Sequence, residues 1–124
     1  MPATLHTLDY VILLCEDLAR MKAFYHGMLG FPVERDWEDW VEMRAGAVLL
    51  TLRRRGRPYD GPGTHGAAVQ LAFRVAPADV DAWHAQLLQK GVQILEPPRD
   101  QDYGHRTLFF KDPEGNILEI YAEI

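Results

Sequence analysis

Val69-Gln70-Leu71-Ala72-Phe73-Arg74-Val75, followed by Pro77, Asp79, Val80 and Trp83, decides the fold, because the chain has already done the same thing once. Earlier, Tyr10-Val11-Ile12-Leu13-Leu14-Cys15 runs into Asp17, Leu18 and Met21. Val11, Leu13 and Cys15 match Leu71, Phe73 and Val75 at a shift of 60; Asp17, Leu18 and Met21 match Asp79, Val80 and Trp83 at 62; Gly30-Phe31 matches Gly91-Val92 at 61. A strand leading into a helix therefore occurs twice, with the restart near residue 67.

Working outward, Asp17 is placed as an N-cap, and Leu18, Met21, Phe24, Tyr25 and Met28 recur at helical spacing. Gly30 falls where a left-handed C-terminal cap is needed. Three strands are expected around Val33 to Trp37, Trp40 to Arg44 and Ala47 to Arg53, with Ala45-Gly46 as a turn. Arg53 to Gly66 holds four glycines and two prolines, which reads as a linker. In the second half, Pro77 and Asp79 open a helix carrying Val80, Trp83, Leu87 and Leu88 on one side, and Gly91 ends it. A short strand from Val92 to Leu95 and a loop from Glu96 to Gly104 follow. Arg106 to Lys111 and Asn116 to Tyr121 then form a hairpin across Asp112-Pro113-Glu114-Gly115.

The fold class is thus α+β, two β-α-β-β-β modules in one domain over residues 1–124. Module 1 covers about residues 5–53, a linker about 54–66, and module 2 about 67–124. Each module leaves one sheet face uncovered, so the two pair, either within one chain or by exchange between chains.

Composition excludes several classes. The chain has 124 residues, enough for one core without staples, and 48% hydrophobic with 25% charged residues is an ordinary globular balance. With 13 basic and 18 acidic residues the net charge is -5, so attraction to a phosphate backbone cannot drive nucleic-acid binding. Arg53-Arg54-Arg55-Gly56-Arg57 reads as a solvated strand end rather than a nucleic-acid footprint. No apolar run approaches the roughly 20 residues of a membrane span, and the first residues lack signal-peptide character, so no membrane partner and a cytoplasmic location are expected. Cys15 is the only cysteine, which excludes an internal disulfide and a cysteine-based zinc cage. It reads as a buried inert thiol, since Glu16 and Asp17 beside it oppose a low pKa.

Asp9 to Leu18 with Ala23-Phe24-Tyr25 and Leu29-Gly30-Phe31, Leu71 to Val75, and Phe110 to Glu119 together resemble the vicinal oxygen chelate superfamily. That superfamily includes glyoxalase I, bleomycin- and fosfomycin-resistance proteins and extradiol dioxygenases. The resemblance implies a glyoxalase-like fold whose modules curl around a cavity, a small-molecule ligand, and a homodimer that completes the site. Metal-dependent members place four ligands, typically histidine, glutamate or glutamine, at positions that fall here on Tyr10, Thr51, Gln70 and Glu119. Glu119 is the one carboxylate; Gln70 could coordinate through its amide oxygen, as glutamine does in some glyoxalases, Thr51 is a poor ligand, and Tyr10 has a phenol that is normally protonated, with a pKa of about 10. No cofactor is therefore expected, the alternative being a divalent metal held by Glu119, Gln70 and Tyr10. His6, His26, His65, His84 and His105 read as surface or loop residues.

Period-two alternation supplies the cavity wall that the resemblance implies. Tyr10, Ile12 and Leu14 share one face; so do Leu49, Thr51 and Arg53; Trp40, Glu42 and Arg44; Gln70, Ala72 and Arg74; and Ile117, Glu119 and Tyr121. Tyr10, Trp40, Thr51, Gln70, Arg74, Glu119 and Tyr121 are the candidate ligand-binding residues. Glu119 is the candidate catalytic residue: a carboxylate among apolar walls has a raised pKa and can act as a general base. The competing reading gives Glu119 a structural role, hydrogen-bonded to Tyr10 or paired with Arg74. Two functions remain open. One is a metal-free binding protein of the glyoxalase/bleomycin-resistance type; the other is an enzyme of lyase, isomerase or dioxygenase type using Glu119.

Overall fold

The computed structural model describes residues 3–63 and 68–124. The chain divides into two compact units, Met1–Gly63 and Thr64–Ile124, each carrying one four-stranded mixed sheet, so the architecture is α+β.

In the first unit, β1 (Tyr10–Cys15) leads into α1 (Leu18–Lys22), and then come β2 (Val33–Trp37), β3 (Trp40–Ala45) and β4 (Val48–Arg54). The Asp17 side chain caps α1 by accepting from the Arg20 amide at 3.1 Å. Beyond Lys22 the helix widens into a π-helical segment, Ala23–Met28, which periodicity does not signal. Gly30, at φ 86°, supplies the left-handed residue that ends it. Strand order is β1-β4-β3-β2, with β1 parallel to β4 and the other pairs antiparallel. Leu13, Cys15, Val41, Met43, Leu50 and Leu52 occupy alternate positions and are buried, as are Leu18, Met21, Phe24 and Tyr25 from the helical segment. Each such side chain removed from water contributes roughly 1.5–3 kcal/mol, which fixes which sheet face the helix covers.

The arginine run is a solvated strand end only in part: Arg54 and Arg57 are exposed, but Arg53 is buried. Arg53 donates to Asp60 from both Nη atoms, at 3.0 and 2.7 Å, and Asp60 also accepts the amides of Gly56 and Arg57 at 2.9 and 2.8 Å. Arg54 pairs with Asp39 at 2.9 Å, and Arg55 lies 3.4 Å from Glu16. Asp60 therefore folds residues 55–61 back onto the end of β4, a role that glycine and proline content conceals. The Arg53 guanidinium, followed by the Gly56 amide, holds the Asp60 carboxyl well below the usual carboxylate range.

In the second unit, β5 (Gln70–Arg74), α2 (Pro77–Gln89), β6 (Ile94–Asp100), β7 (His105–Lys111) and β8 (Ile117–Glu123) form a sheet of order β5-β8-β7-β6, again with only the first pair parallel. Val80 and Leu87 of α2 are buried, together with Leu108, Phe110, Leu118, Ile120 and Ala122. Leu88, expected on the same side, is 55% exposed, because it lies about 100° round the helix from Leu87. The expected loop after Leu95 is instead strand as far as Asp100. Pro97 and Pro98 are tolerated because β6 is an edge strand whose register shifts on either side of Glu96. The β7–β8 turn is pinned by buried Asp112, which accepts from the Glu114 and Asn116 amides and from Asn116 Nδ2 at 2.9 to 3.0 Å. Among the described residues, no helix is long and apolar enough to cross a membrane.

Candidate functional site

Each sheet has one face that its helix leaves open, and the candidate residues lie on those two faces. On the first unit, β1 and β4 pair Tyr10 with Leu49 and Ile12 with Thr51, and β3 adds Glu42 opposite Thr51 and Trp40 opposite Arg53. Tyr10, Trp40 and Thr51 therefore share a face, as alternation requires.

Glu42, not a named candidate, is its centre. The residue is only 5% exposed; its Oε1 accepts from Trp40 Nε1 at 3.0 Å and from the Tyr10 hydroxyl at 3.4 Å. Arg35 Nε on β2 stands 3.8 Å from Oε2. The Tyr10 and Trp40 rings lie 6.3 Å apart at a 56° tilt. Fully buried Thr51 turns its hydroxyl to the carbonyl of Leu49 at 3.2 Å. Arg44 donates from Nε and Nη2 to Glu34 at 2.9 and 3.0 Å, which lowers the Glu34 carboxyl and raises the Arg44 guanidinium. Trp40 also borders a crevice of about 310 Å³ that it lines with Asp39, Arg54 and Arg57.

On the second unit, Gln70 and Glu119 are brought together: Gln70 Nε2 donates to Glu119 Oε1 at 3.4 Å. Ala72 and Phe109 flank Glu119 in register, and Glu119 is half-buried rather than deep. The expected partners of Glu119 go elsewhere. The Tyr10 hydroxyl bonds Glu42, and Arg74 pairs with Glu123 at 3.1 Å. Tyr121 stacks on His105 with ring centroids 4.7 Å apart and planes 22° apart, and Tyr103 meets the His105 ring edge-on at 5.3 Å. His105, read as a surface or loop residue, is half-buried on the open face and starts β7, one residue before the expected strand. His6 and His26 are exposed, His84 is half-buried on α2, and His65 lies outside the described residues. Cys15 is buried, with its thiol donating to the Leu13 carbonyl at 3.4 Å.

The model of the Glyoxalase/Bleomycin resistance protein/Dioxygenase superfamily matches residues 7–120. The chain belongs to this superfamily. Among glyoxalase-superfamily relatives, it is 26% identical over 123 residues to "Glutathione transferase FosA" of Serratia marcescens, covering 95% of this chain and 82% of that one. It is 22% identical over 116 residues to "Metallothiol transferase FosB" of Staphylococcus epidermidis, covering 93% and 82%. A solved glyoxalase/bleomycin resistance protein/dioxygenase from Nocardioides superposes with a TM-score of 0.84 at 22% identity, covering 99% of this chain and 87% of that one.

A metal bound in the superfamily's manner is a poor fit to these residues. Thr51 Oγ1 is engaged by its own strand and the Tyr10 phenol by Glu42. One carboxylate, one amide, a phenol and an aliphatic hydroxyl offer a hard divalent ion a single anionic donor. Among the described residues, no three of His, Cys, Asp and Glu gather as such a group.

Proposed function

We propose that this member of the glyoxalase superfamily is a metal-free binding protein for a small molecule with aromatic or apolar character, working in the cytoplasm as a homodimer whose shared cavity holds the ligand. The observation that carries this reading is the hydrogen bonding of the first unit's open face. The groups at two of the four metal positions are used internally, by Glu42 and by the Leu49 carbonyl, so the face is a finished aromatic and polar wall. Such a wall, apolar area with a few fixed polar groups, suits a small-molecule site. The single thiol, buried and outside any disulfide, suits a reducing compartment.

The test is a thermal-shift screen across planar aromatics and thiol adducts, run with and without chelator, with recovery of the ligand afterwards. A ligand that raises Tm equally in both conditions and is recovered unchanged supports binding. A stoichiometric ion retained through purification and lost on Glu119→Gln overturns the metal-free part, and a strict monomer at micromolar concentration overturns the dimer.

The Gln70–Glu119 pair favours a second reading, an enzyme in which Glu119 is the general base, and the relatives named as transferases agree with it. Glu119 Oε1 already holds an amide donor that would orient it toward a proton next to a carbonyl. Turnover of any screened compound that Glu119→Gln abolishes, with unchanged Tm, would decide for this reading.

A further inference from the structure

The first unit's open face carries three arginines and one buried acid, and the arginines are distributed unevenly. Arg53 is taken by Asp60 with two hydrogen bonds, and Arg44 by Glu34 with two more. The nearest cation to Glu42 is Arg35, whose Nε stands 3.8 Å from Oε2, beyond hydrogen-bonding distance, on a side chain 59% exposed whose guanidinium also lies over the Trp37 ring, while Arg44, bound to Glu34, acts on Glu42 only through space. A carboxylate taken out of water is costly unless a cation faces it, and neutral donors compensate only in part. Here both neutral donors, the Trp40 indole and the Tyr10 phenol, act on Oε1. Oε2 accepts none of the described hydrogen bonds, yet it is not among the atoms sealed from the surface without a partner. The two rings beside it present π-electron density, which attracts positive charge.

We propose that Glu42, Tyr10 and Trp40 form a recognition subsite for a small molecule carrying a protonated amine. The ammonium meets Glu42 Oε2 while the ligand's apolar body lies along Tyr10, Trp40 and Ile12. Arg35 is the resident competitor and swings out as the amine enters. This subsite names the ligand class for the binding reading above and rests on it.

Three matched probes test it: phenethylamine, 2-phenylethanol and 3-phenylpropionate, followed by tryptophan fluorescence and by the indole N–H resonance of Trp40. The amine is expected to bind at least tenfold more tightly than the alcohol, and the carboxylate not at all. Glu42→Gln keeps an acceptor for Trp40 and Tyr10 and should weaken the amine at least tenfold while leaving the alcohol unchanged. Arg35→Ala should strengthen the amine a few-fold, and this variant carries the test if Glu42→Gln does not fold. Equal affinity for amine and alcohol, or amine affinity indifferent to both variants, overturns the subsite. If the alcohol still binds in that case, small-molecule binding stands without the amine. If none of the three probes binds, the subsite falls, and the binding reading is decided by its own ligand screen.

Discussion

The two units are built on one plan, yet they seat their acid on different strands. Across the first sheet, one register row reads Arg35, Glu42, Thr51, Ile12; the corresponding row of the second reads Glu96, Phe109, Glu119, Ala72. Thr51 and Glu119 hold the same place in their units, as do Glu42 and Phe109. In the first unit the carboxylate sits on β3, one strand beyond the parallel pair, and is held by an indole and a phenol. In the second it sits on the last strand and is held by an amide. The central two positions of each row contain one carboxylate, and the strand that carries it decides its donors: Trp40 and Tyr10 for Glu42, Gln70 for Glu119.

The strongest way to break this comparison is to give the first unit two acids. Thr51→Glu places a carboxylate in register with Glu42 at a fully buried position. Like charges there, with incomplete solvation, should cost about 4 kcal/mol in urea unfolding. Adding Glu42→Phe recreates the second unit's arrangement and should recover more than half of the loss. If the double variant is no better than the single one, the rows are not equivalent.

Next in size are Leu50→Ala and Leu118→Ala, which truncate equivalent core positions on β4 and β8. Each should cost about 3 kcal/mol. Differential scanning calorimetry checks whether the two losses match; a gap larger than the loss itself would mean that the cores are not built alike.

Asp60→Asn distinguishes the units instead, and should cost less than either core truncation. Because Arg53 and the Gly56 and Arg57 amides hold the folded-state pKa low, the unfolded chain takes up the proton first, near pH 4. The stabilisation is therefore present above about pH 4 and fades as pH falls toward the lower folded-state value. The gap between wild type and variant should be constant from pH 7 to 5 and shrink from pH 4 to 2; a gap that widens in acid refutes the pairing. The smallest effect belongs to Cys15→Val, which installs the residue found at Val75, the matching place in the second unit. It should change stability by less than about 1.5 kcal/mol, and native Cys15 should react with a thiol reagent only after denaturation.

Much of this comparison was legible before any coordinates. Period-two alternation placed Tyr10, Trp40, Glu42 and Thr51 on one face, and Gln70, Arg74, Glu119 and Tyr121 on another, because side-chain direction in a strand depends only on parity. Which residue stands opposite which depends on register between strands, and no local pattern fixes that. So parity shows Glu42 as inward-facing, whereas its partnership with Tyr10 and Trp40 depends on that register. Arg53 and Asp60 were hidden in a glycine- and proline-rich stretch, where one aspartate organising backbone amides leaves no periodic trace. Pro97-Pro98 misled in the opposite direction, since proline argues for a loop everywhere except on a sheet edge. A useful signal for the site would have been a lone acid flanked at period two by tryptophan and arginine, as Glu42 is in Trp40-Val41-Glu42-Met43-Arg44.

Parallel pairing of the first and last strands in each unit sets the order in which the chain can fold during synthesis. β1 needs β4, whose partner residue Leu49 lies about 40 residues after Tyr10, and β5 needs β8, with Ile117 about 47 residues after Gln70. At a ribosomal rate of roughly 5–20 residues per second, each opening strand waits on the order of 2–10 s with its ladder unfilled. Through that interval Val11, Leu13 and Cys15, later buried or half-buried, are sticky chain with α1 and the π-helical segment Ala23–Met28 as the helical cover already made. All strands of the first unit precede β5 in the chain, so the first ladder can be filled before the second opening strand is made.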